Sequence, residues 1–277
     1  MADLEEVTLP LGTSEGGPDP SAIRYAIAAA VKTIDVLFAF AGTERGLSIA
    51  EAAARSGTTK NQAYRCLKSL EMAGLVQEDR GGFVLTTRIL QLASAVHRPT
   101  LLAAAEGELQ RLRHETGETA NLFALTGPRE LICLATLQGI HAIGLMARPG
   151  LVAGLHAGAV PKAVLAFLPS IQREQILAEL PGLVRSTPRT EANPERLRVE
   201  LEETVKRGFS VSDEDVEEGA RGVGAPIFGP DGYPVGGLSV GGPSNRLDME
   251  ALRQFGPLVQ AAALRVSRRL GYTPRQG

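Results

Sequence analysis

Two cysteines and four histidines are all that the 277 residues provide of the softer metal ligands. Cys66 and Cys133 form no CxxC pair and have no histidine cluster beside them, so neither a zinc site nor a disulfide framework is expected, and a reducing compartment fits. No apolar stretch reaches the roughly 20 residues of a membrane span before charge, proline or glycine interrupts it, and the first residues lack a basic segment followed by an apolar one. The chain therefore reads as cytoplasmic, with no membrane partner. No G-K-[ST] follows the glycines at 219, 222, 224, 236, 237, 241 and 242, which lie in or beside β-like runs, so they indicate tight turns and close backbone approach to a ligand rather than a phosphate loop. The acidic run from Ser212 to Glu218 lacks the glycine and alternating ligands of a calcium loop and reads as a solvated turn. With the histidines scattered, no nucleophilic triad is indicated. No catalytic residue, metal or cofactor is expected.

What is present is unevenly distributed. The net charge is −2, yet residues 1–20 carry five acidic and no basic side chains, whereas residues 21–98 carry ten Lys/Arg against six Asp/Glu. Residues 1–20 also hold three glycines and three prolines without an apolar period, the composition of a flexible tail. The basic surplus coincides with a recognisable series of elements in a predicted domain over 21–92. Val31, Ile34 and Phe38 recur at helical spacing until Gly42. Ser48 with Glu51, and Thr59 with Gln62, have the spacing of capping boxes opening two short helices joined by a Ser-Gly-Thr turn, the second stopped by Gly74. Two β-like runs, Gln77–Arg80 and Phe83–Thr86, flank Gly81-Gly82 as a hairpin would.

In the second of those short helices Ala63, Leu67 and Leu70 turn inward, while Asn61, Arg65 and Lys68 share an outward face. Lys60 and Gln62 lie in its first turn, where a recognition helix meets base edges, beside the capping Thr59. Arg80 at the hairpin tip is placed to reach a phosphate or the minor groove. Tyr64 can either stack on the sugar-phosphate backbone or pack against the first helix. A polar helix face is most often merely solvated. Two capped helices, a three-residue turn and a basic-tipped hairpin, in that order, instead predict a winged helix-turn-helix that binds double-stranded operator DNA.

A linker helix is predicted within 93–117, its stripe of Leu102, Ala105, Leu109 and Leu112 facing a partner. Over 118–272 short β-like runs (Glu130–Leu137, His141–Met146, Phe209–Asp213, Gly224–Phe228, Val235–Val240) alternate with helical patterns near 159–168, 170–180, 194–207 and 248–270. The turn Gly229-Pro230-Asp231-Gly232 joins the last two strands. The class is α+β, an antiparallel sheet covered by helices. The stripe Leu252, Phe255, Val259, Ala262 and Val266 is expected to pack on the sheet, the competing reading being a partner-binding face.

Several strings, in this order, resemble the IclR family of bacterial regulators, and the likeness runs from about Arg24 to Leu270. They are Gly57–Leu67 (GTTKNQAYRCL), Leu155–Ala166 (LHAGAVPKAVLA), Arg221–Pro226 (RGVGAP) and Leu238–Pro243 (LSVGGP). The resemblance implies a homodimer or homotetramer with a GAF-like effector-binding domain for small metabolites, often carboxylates or aromatic compounds. It implies a pocket between the loop at Ala159 and strands carrying Asp213, Gly222 and Ser239, with Ala159 and Val160 offering backbone N–H groups at a helix N-terminus. Three departures bear on that pocket. Pro161 stands where the family usually has glycine and supplies no N–H, Gly241 where relatives often have serine, and Gly222 where some have cysteine. With Met146 as adaptable lining, the pocket is expected to be roomy and to suit a larger or more apolar effector. The alternative function is a metabolite-binding enzyme or carrier whose helix-turn-helix does not bind DNA.

Overall fold

The computed structural model describes residues 27–273, apart from 42, 44, 80, 95–100, 143, 145–146 and 183–184. The tail expected over 1–20, Arg80 and Met146 therefore lie outside the described residues. The chain divides into two compact units, Met1–His97 and Arg98–Gly277.

In the first unit, α1 (Ala28–Phe38), α2 (Ile49–Ser56) and α3 (Lys60–Met72) precede the hairpin β1 (Val76–Asp79) and β2 (Gly82–Leu85), and α4 (Arg88–Ser94) follows. Both capping boxes are present. Glu51 N–H donates to Ser48 Oγ at 3.2 Å while Ser48 N–H donates to Glu51 Oε2 at 2.9 Å. Gln62 N–H and Thr59 N–H make the same reciprocal pair, at 3.3 and 3.1 Å. Each cap contributes on the order of 1 kcal/mol by satisfying otherwise orphaned donors. Gly57, at φ 65°, ends α2 in the left-handed conformation, which a β-carbon would penalise. Leu47 exchanges two 2.8 Å backbone hydrogen bonds with Phe83, tying the chain before α2 to the hairpin. Val36, Ala52, Ala63, Leu67, Leu70, Val76 and Phe83 form the buried core. The inward-facing triplet of α3 is therefore as its spacing predicts.

The second unit is a six-stranded antiparallel sheet between helices. In chain order come α5 (Leu101–Thr116), β3 (Thr119–Leu125), β4 (Glu130–Leu137), β5 (Val152–Gly154), α6 (Ala159–Phe167), α7 (Ser170–Glu179), α8 (Pro194–Arg207), β6 (Ser210–Asp213), β7 (Ala220–Phe228), β8 (Pro234–Pro243) and α9 (Met249–Arg269). The spatial order is β5-β4-β3-β8-β7-β6. Of the run expected at 141–146, the described residues are not strand.

The two faces of the sheet differ in composition. Ala120 and Leu122 on β3, Val223, Ala225 and Ile227 on β7, and Leu238 and Val240 on β8 pack with α5 and α9. The alternate residues of the same strands, facing α6, include Asn121, Phe123, Gly222, Gly224, Gly237, Ser239 and Gly241. One face carries large apolar side chains throughout, whereas glycines and small polar residues dominate the other beside Phe123, which leaves a helix close contact at some points and open space at others. The linker stripe finds its partner within the unit: Ala105, Leu109 and Leu112 are buried against α9, although Leu102 near the helix start is exposed. On α9, Leu252, Val259, Ala262 and Val266 are buried in the same core and Phe255 packs against it, so that stripe covers the sheet.

A buried carboxylate fixes α5 to α9. Glu108 accepts from Arg265 at 2.8 Å and from Arg269 at 2.9 Å. Burial raises its pKa, but the two guanidinium groups outweigh that and hold it below the usual carboxylate value. No helix among the described residues is long and apolar enough to cross a membrane.

Candidate nucleic-acid interface and ligand cavity

The outward face of α3 carries the predicted DNA residues in two states. Lys60, Asn61 and Arg65 are exposed, and no ion pair among the described residues engages the charge of Lys60 or Arg65. Tyr64 is 46% exposed, and Lys68 Nζ lies 5.8 Å from its ring centre. Thr59 and Gln62 hold the helix start through their capping box, which commits Gln62 Oε1 and leaves its amide N–H groups available.

Lys68 differs from the expectation. Its Nζ lies 2.8 Å from Glu71 and 3.1 Å from Glu78 on β1, and 5.4 Å from the Phe83 ring centre. Hydrogen bonds to Glu71 and Glu78 raise its pKa. Its charge is thus committed within the unit, where it ties α3 to the hairpin, and Asn61 and Arg65 are left as the open part of that face.

The second unit contains a cavity of about 390 Å³ between the sheet and the start of α6. Its floor follows from strand register. Ser210, Gly224, Ser239, Asn121 and Thr136 lie side by side in one row across β6, β7, β8, β3 and β4. Ser212, Gly222, Gly241 and Thr119 form the next row on the same face. A β-carbon on Gly224 would come within 2.6 Å of the Ala159 carbonyl carbon and 2.7 Å of Val160 N, so only glycine lets α6 rest there. Over Gly241 the nearest atom would be at 3.4 Å, and the space stays open.

The start of α6 is built for close approach. Gly158 caps it at φ 99°, and the first-turn N–H groups of Ala159 and Val160 have no acceptor within the helix. Pro161 brings none. Gly158 N–H donates to Asp215 Oδ2 at 3.3 Å. Asp215 is itself buried; it accepts from Ser212 Oγ and lies 2.6 Å from Lys162 Nζ. Lys162 also meets Glu200 Oε1 at 2.6 Å. Burial pushes the Lys162 pKa down, but the two carboxylates more than offset this and hold it above the ordinary lysine value. This ionic triad, buried at Lys162 and Asp215 and half-exposed at Glu200, joins α6, α8 and the 214–219 turn, whose Val216 and Glu217 form part of the cavity wall.

Of the residues expected to contact an effector, Ala159, Val160, Gly222, Ser239 and Gly241 line the cavity. Asp213 lies outside its wall. Its carboxylate is held by Arg189 at 2.7 Å and Arg221 at 2.5 Å. Pleating explains the difference, because adjacent Ser212 and Asp213 point to opposite faces and Ser212 is the one in the floor row. Residues that sequence reasoning did not single out complete the lining, among them Asn121, Phe123, Leu151, Val152, His156 and Ser186. Only strand pairing brings Asn121 here, since it lies 118 positions from Ser239.

Comparison with known proteins follows this geometry. Residues 93–268 match the family described as bacterial transcriptional regulator IclR C-terminal, and residues 29–80 match the IclR helix-turn-helix domain. The probable transcriptional regulator SauR of Cupriavidus necator is 31% identical over 243 residues, 87% of this chain and 96% of that protein. The crystal structure of Thermotoga maritima IclR is 29% identical, covers 87% of this chain and 98% of that one, and has a TM-score of 0.66. An IclR homolog from Microbacterium hydrocarbonoxydans, solved in complex with 4-hydroxybenzoate, shares the fold at 22% identity with a TM-score of 0.75, over 87% of this chain and 98% of that one.

Proposed function

The chain belongs to the IclR family of bacterial transcriptional regulators, and on that premise we propose how its two units divide the work. The first unit binds double-stranded operator DNA by seating α3 in the major groove. Lys60 and Asn61 meet base edges from the first turn, Arg65 reaches a base or phosphate, and Thr59, Gln62 and Tyr64 contact the sugar-phosphate backbone. Lys68 holds the hairpin in register with α3, and Arg80, between β1 and β2 in the sequence, adds a phosphate or minor-groove contact. The observation that carries this reading is the face of α3, where exposed Lys60 and Arg65 carry uncommitted charge on a helix fixed by a capping box and braced by the hairpin.

The second unit binds the effector in the cavity. Its volume lies within the range of small-molecule sites, and Phe123, Leu151, Val152 and Val160 give it apolar walls. We infer a ligand with an apolar, aromatic or alicyclic body and a polar head that accepts from the Ala159 and Val160 N–H groups. The Microbacterium homolog bound to 4-hydroxybenzoate supports this class. Gly241, where a β-carbon would meet only the Arg221 carbonyl oxygen at 3.4 Å, leaves part of the room. The protein works in the cytoplasm as a homodimer or tetramer; apolar residues left exposed on the first unit, Ile34 and Phe38 on α1 and Leu90 and Leu92 on α4, support self-association. Effector binding changes operator affinity through unequal affinity for two arrangements of the chain. It acts as a regulator and not as an enzyme.

The test is selection of bound genomic fragments by the full-length protein, then anisotropy titration of the recovered sequence with glyoxylate, 4-hydroxybenzoate or no addition. A specific duplex whose affinity moves with the aromatic acid supports the reading. Fragments bound no better than bulk DNA would end it.

A further inference from the structure

We propose that Asn121 is a specificity-determining residue of the cavity: with Ser239 it recognises a hydroxyl or carbonyl at the end of the effector remote from the α6 N-terminus. This rests on the reading of the cavity as the effector site.

The argument begins with hydrogen bonds that the protein leaves unmade. Asn121 is 7% exposed and lines the cavity. Its Oδ1 lies 3.0 Å from Thr136 Oγ1, a hydroxyl whose single proton is also directed at the Ala147 carbonyl. Its Nδ2 carries two N–H donors and has one contact among the described residues, Ser239 Oγ at 3.5 Å, longer than a good N–H···O bond. Ser239 is likewise 7% exposed, and its hydroxyl proton has no acceptor among the described residues. Buried amides and hydroxyls are nearly always satisfied because leaving them bare is costly. Two adjacent, poorly satisfied polar groups, an amide and a hydroxyl, on the floor of a mainly apolar cavity are what a polar ligand atom would complete.

Their position sets the shape of that ligand. Asn121, Ser239 and Gly224 lie in register on three neighbouring strands, and Gly224 lies directly beneath Ala159 and Val160. The amide is therefore about two strand spacings, roughly 10 Å, from the N–H groups of α6. Allowing about 3 Å for the hydrogen bond at each end, the effector's two polar groups lie roughly 4–7 Å apart. One ring with substituents on opposite sides spans that distance, and a two- or three-carbon acid does not. The class is a ring carboxylate bearing a hydroxyl or carbonyl across the ring.

The experiment is calorimetric titration of the full-length protein with benzoate, 3-hydroxybenzoate and 4-(hydroxymethyl)benzoate. It is repeated on Asn121→Leu, Ser239→Ala and the cavity-filling Val160→Trp. At least one oxygenated probe is expected to bind the wild type about tenfold more tightly than benzoate, the effect of one added hydrogen bond in a buried site. That preference should vanish in the Asn121 and Ser239 variants while benzoate affinity holds, a pattern that loss of structure alone would not give. Should Asn121→Leu fail to fold, Ser239→Ala carries the test. A wild type that does not prefer an oxygenated probe, a preference that survives in these variants, or no binding of any probe overturns the inference. Val160→Trp judges the cavity separately: probe binding that persists in it overturns the effector-site reading instead.

Discussion

Replacing Lys162 with methionine removes a buried ammonium and keeps the side chain's bulk. The change orphans chiefly one group. Glu200 has a side chain 32% exposed and can turn to water, whereas the Asp215 side chain is 8% exposed and cannot. Breaking a buried ion pair by removing one partner costs about 3–5 kcal/mol. Asp215 would keep its hydrogen bonds from Gly158 N–H and Ser212 Oγ, which places the expected loss near the lower end, about 3 kcal/mol. In a unit of this size each kcal/mol moves the melting temperature by about 2–4 °C, so the fall should be about 6–12 °C. Differential scanning calorimetry of the full chain is the assay, with the transition of the second unit followed separately. The pH dependence carries a sign. Because Lys162 has its pKa raised on folding, its contribution is complete below the unfolded value of about 10.4 and is lost as pH climbs through the folded one. The gap between wild type and variant should therefore be constant from about pH 6 to about pH 9 and narrow only in stronger alkali. A shift of less than about 2 °C at neutral pH, or a gap that closes as pH rises toward 9, would refute the claim that this triad holds the 214–219 turn in place.

Arg65→Ala should weaken specific DNA binding by about 1–3 kcal/mol while leaving the melting profile unchanged; equal affinity in a mobility-shift titration would remove it from the interface. Lys68→Gln should weaken binding without altering the dependence on salt, since that charge is already neutralised by Glu71 and Glu78; a slope of log affinity against log salt reduced by about one would mean that it meets a phosphate after all. Gly224→Val should force α6 off the floor row, costing about 1–3 kcal/mol and abolishing effector binding. Retention of both stability and binding in that variant would contradict the close contact with Ala159 and Val160.

Local chemistry made the first unit legible. Ser48 with Glu51 and Thr59 with Gln62 are contacts three residues apart, so their spacing alone announces two helix starts. Lys68 was harder, because one of its partners, Glu78, lies on β1, beyond the helix whose periodicity placed it with Asn61 and Arg65. In the second unit β3 was not apparent. Its first five residues are all buried; Thr119 and Asn121 alternate with Ala120 and Leu122 over only four positions, and Asn121 and two alanines dilute the strand composition. The glycines of β7 and β8 were legible as sites of close approach, but which ones admit a helix and which leave space depends on the row that each occupies. Lys162 lies in a string singled out for its likeness to a family. Its partners at 200 and 215 come from other elements, and no spacing rule connects them. Asp213 and Ser212 differ only in parity along β6, which resemblance to a motif does not resolve.

The most direct measurement is nuclease footprinting of the DNA flanking the chain's own coding region, using wild-type protein and the Lys60→Ala/Arg65→Ala double variant at low and moderate ionic strength. Paired half-sites one or more helical turns apart, protected by the wild type and bare with the variant, are the expected result. Unprotected bases at low ionic strength, with and without metabolite extract, or a footprint that the double variant reproduces, would contradict the assignment of α3 as the element that reads DNA.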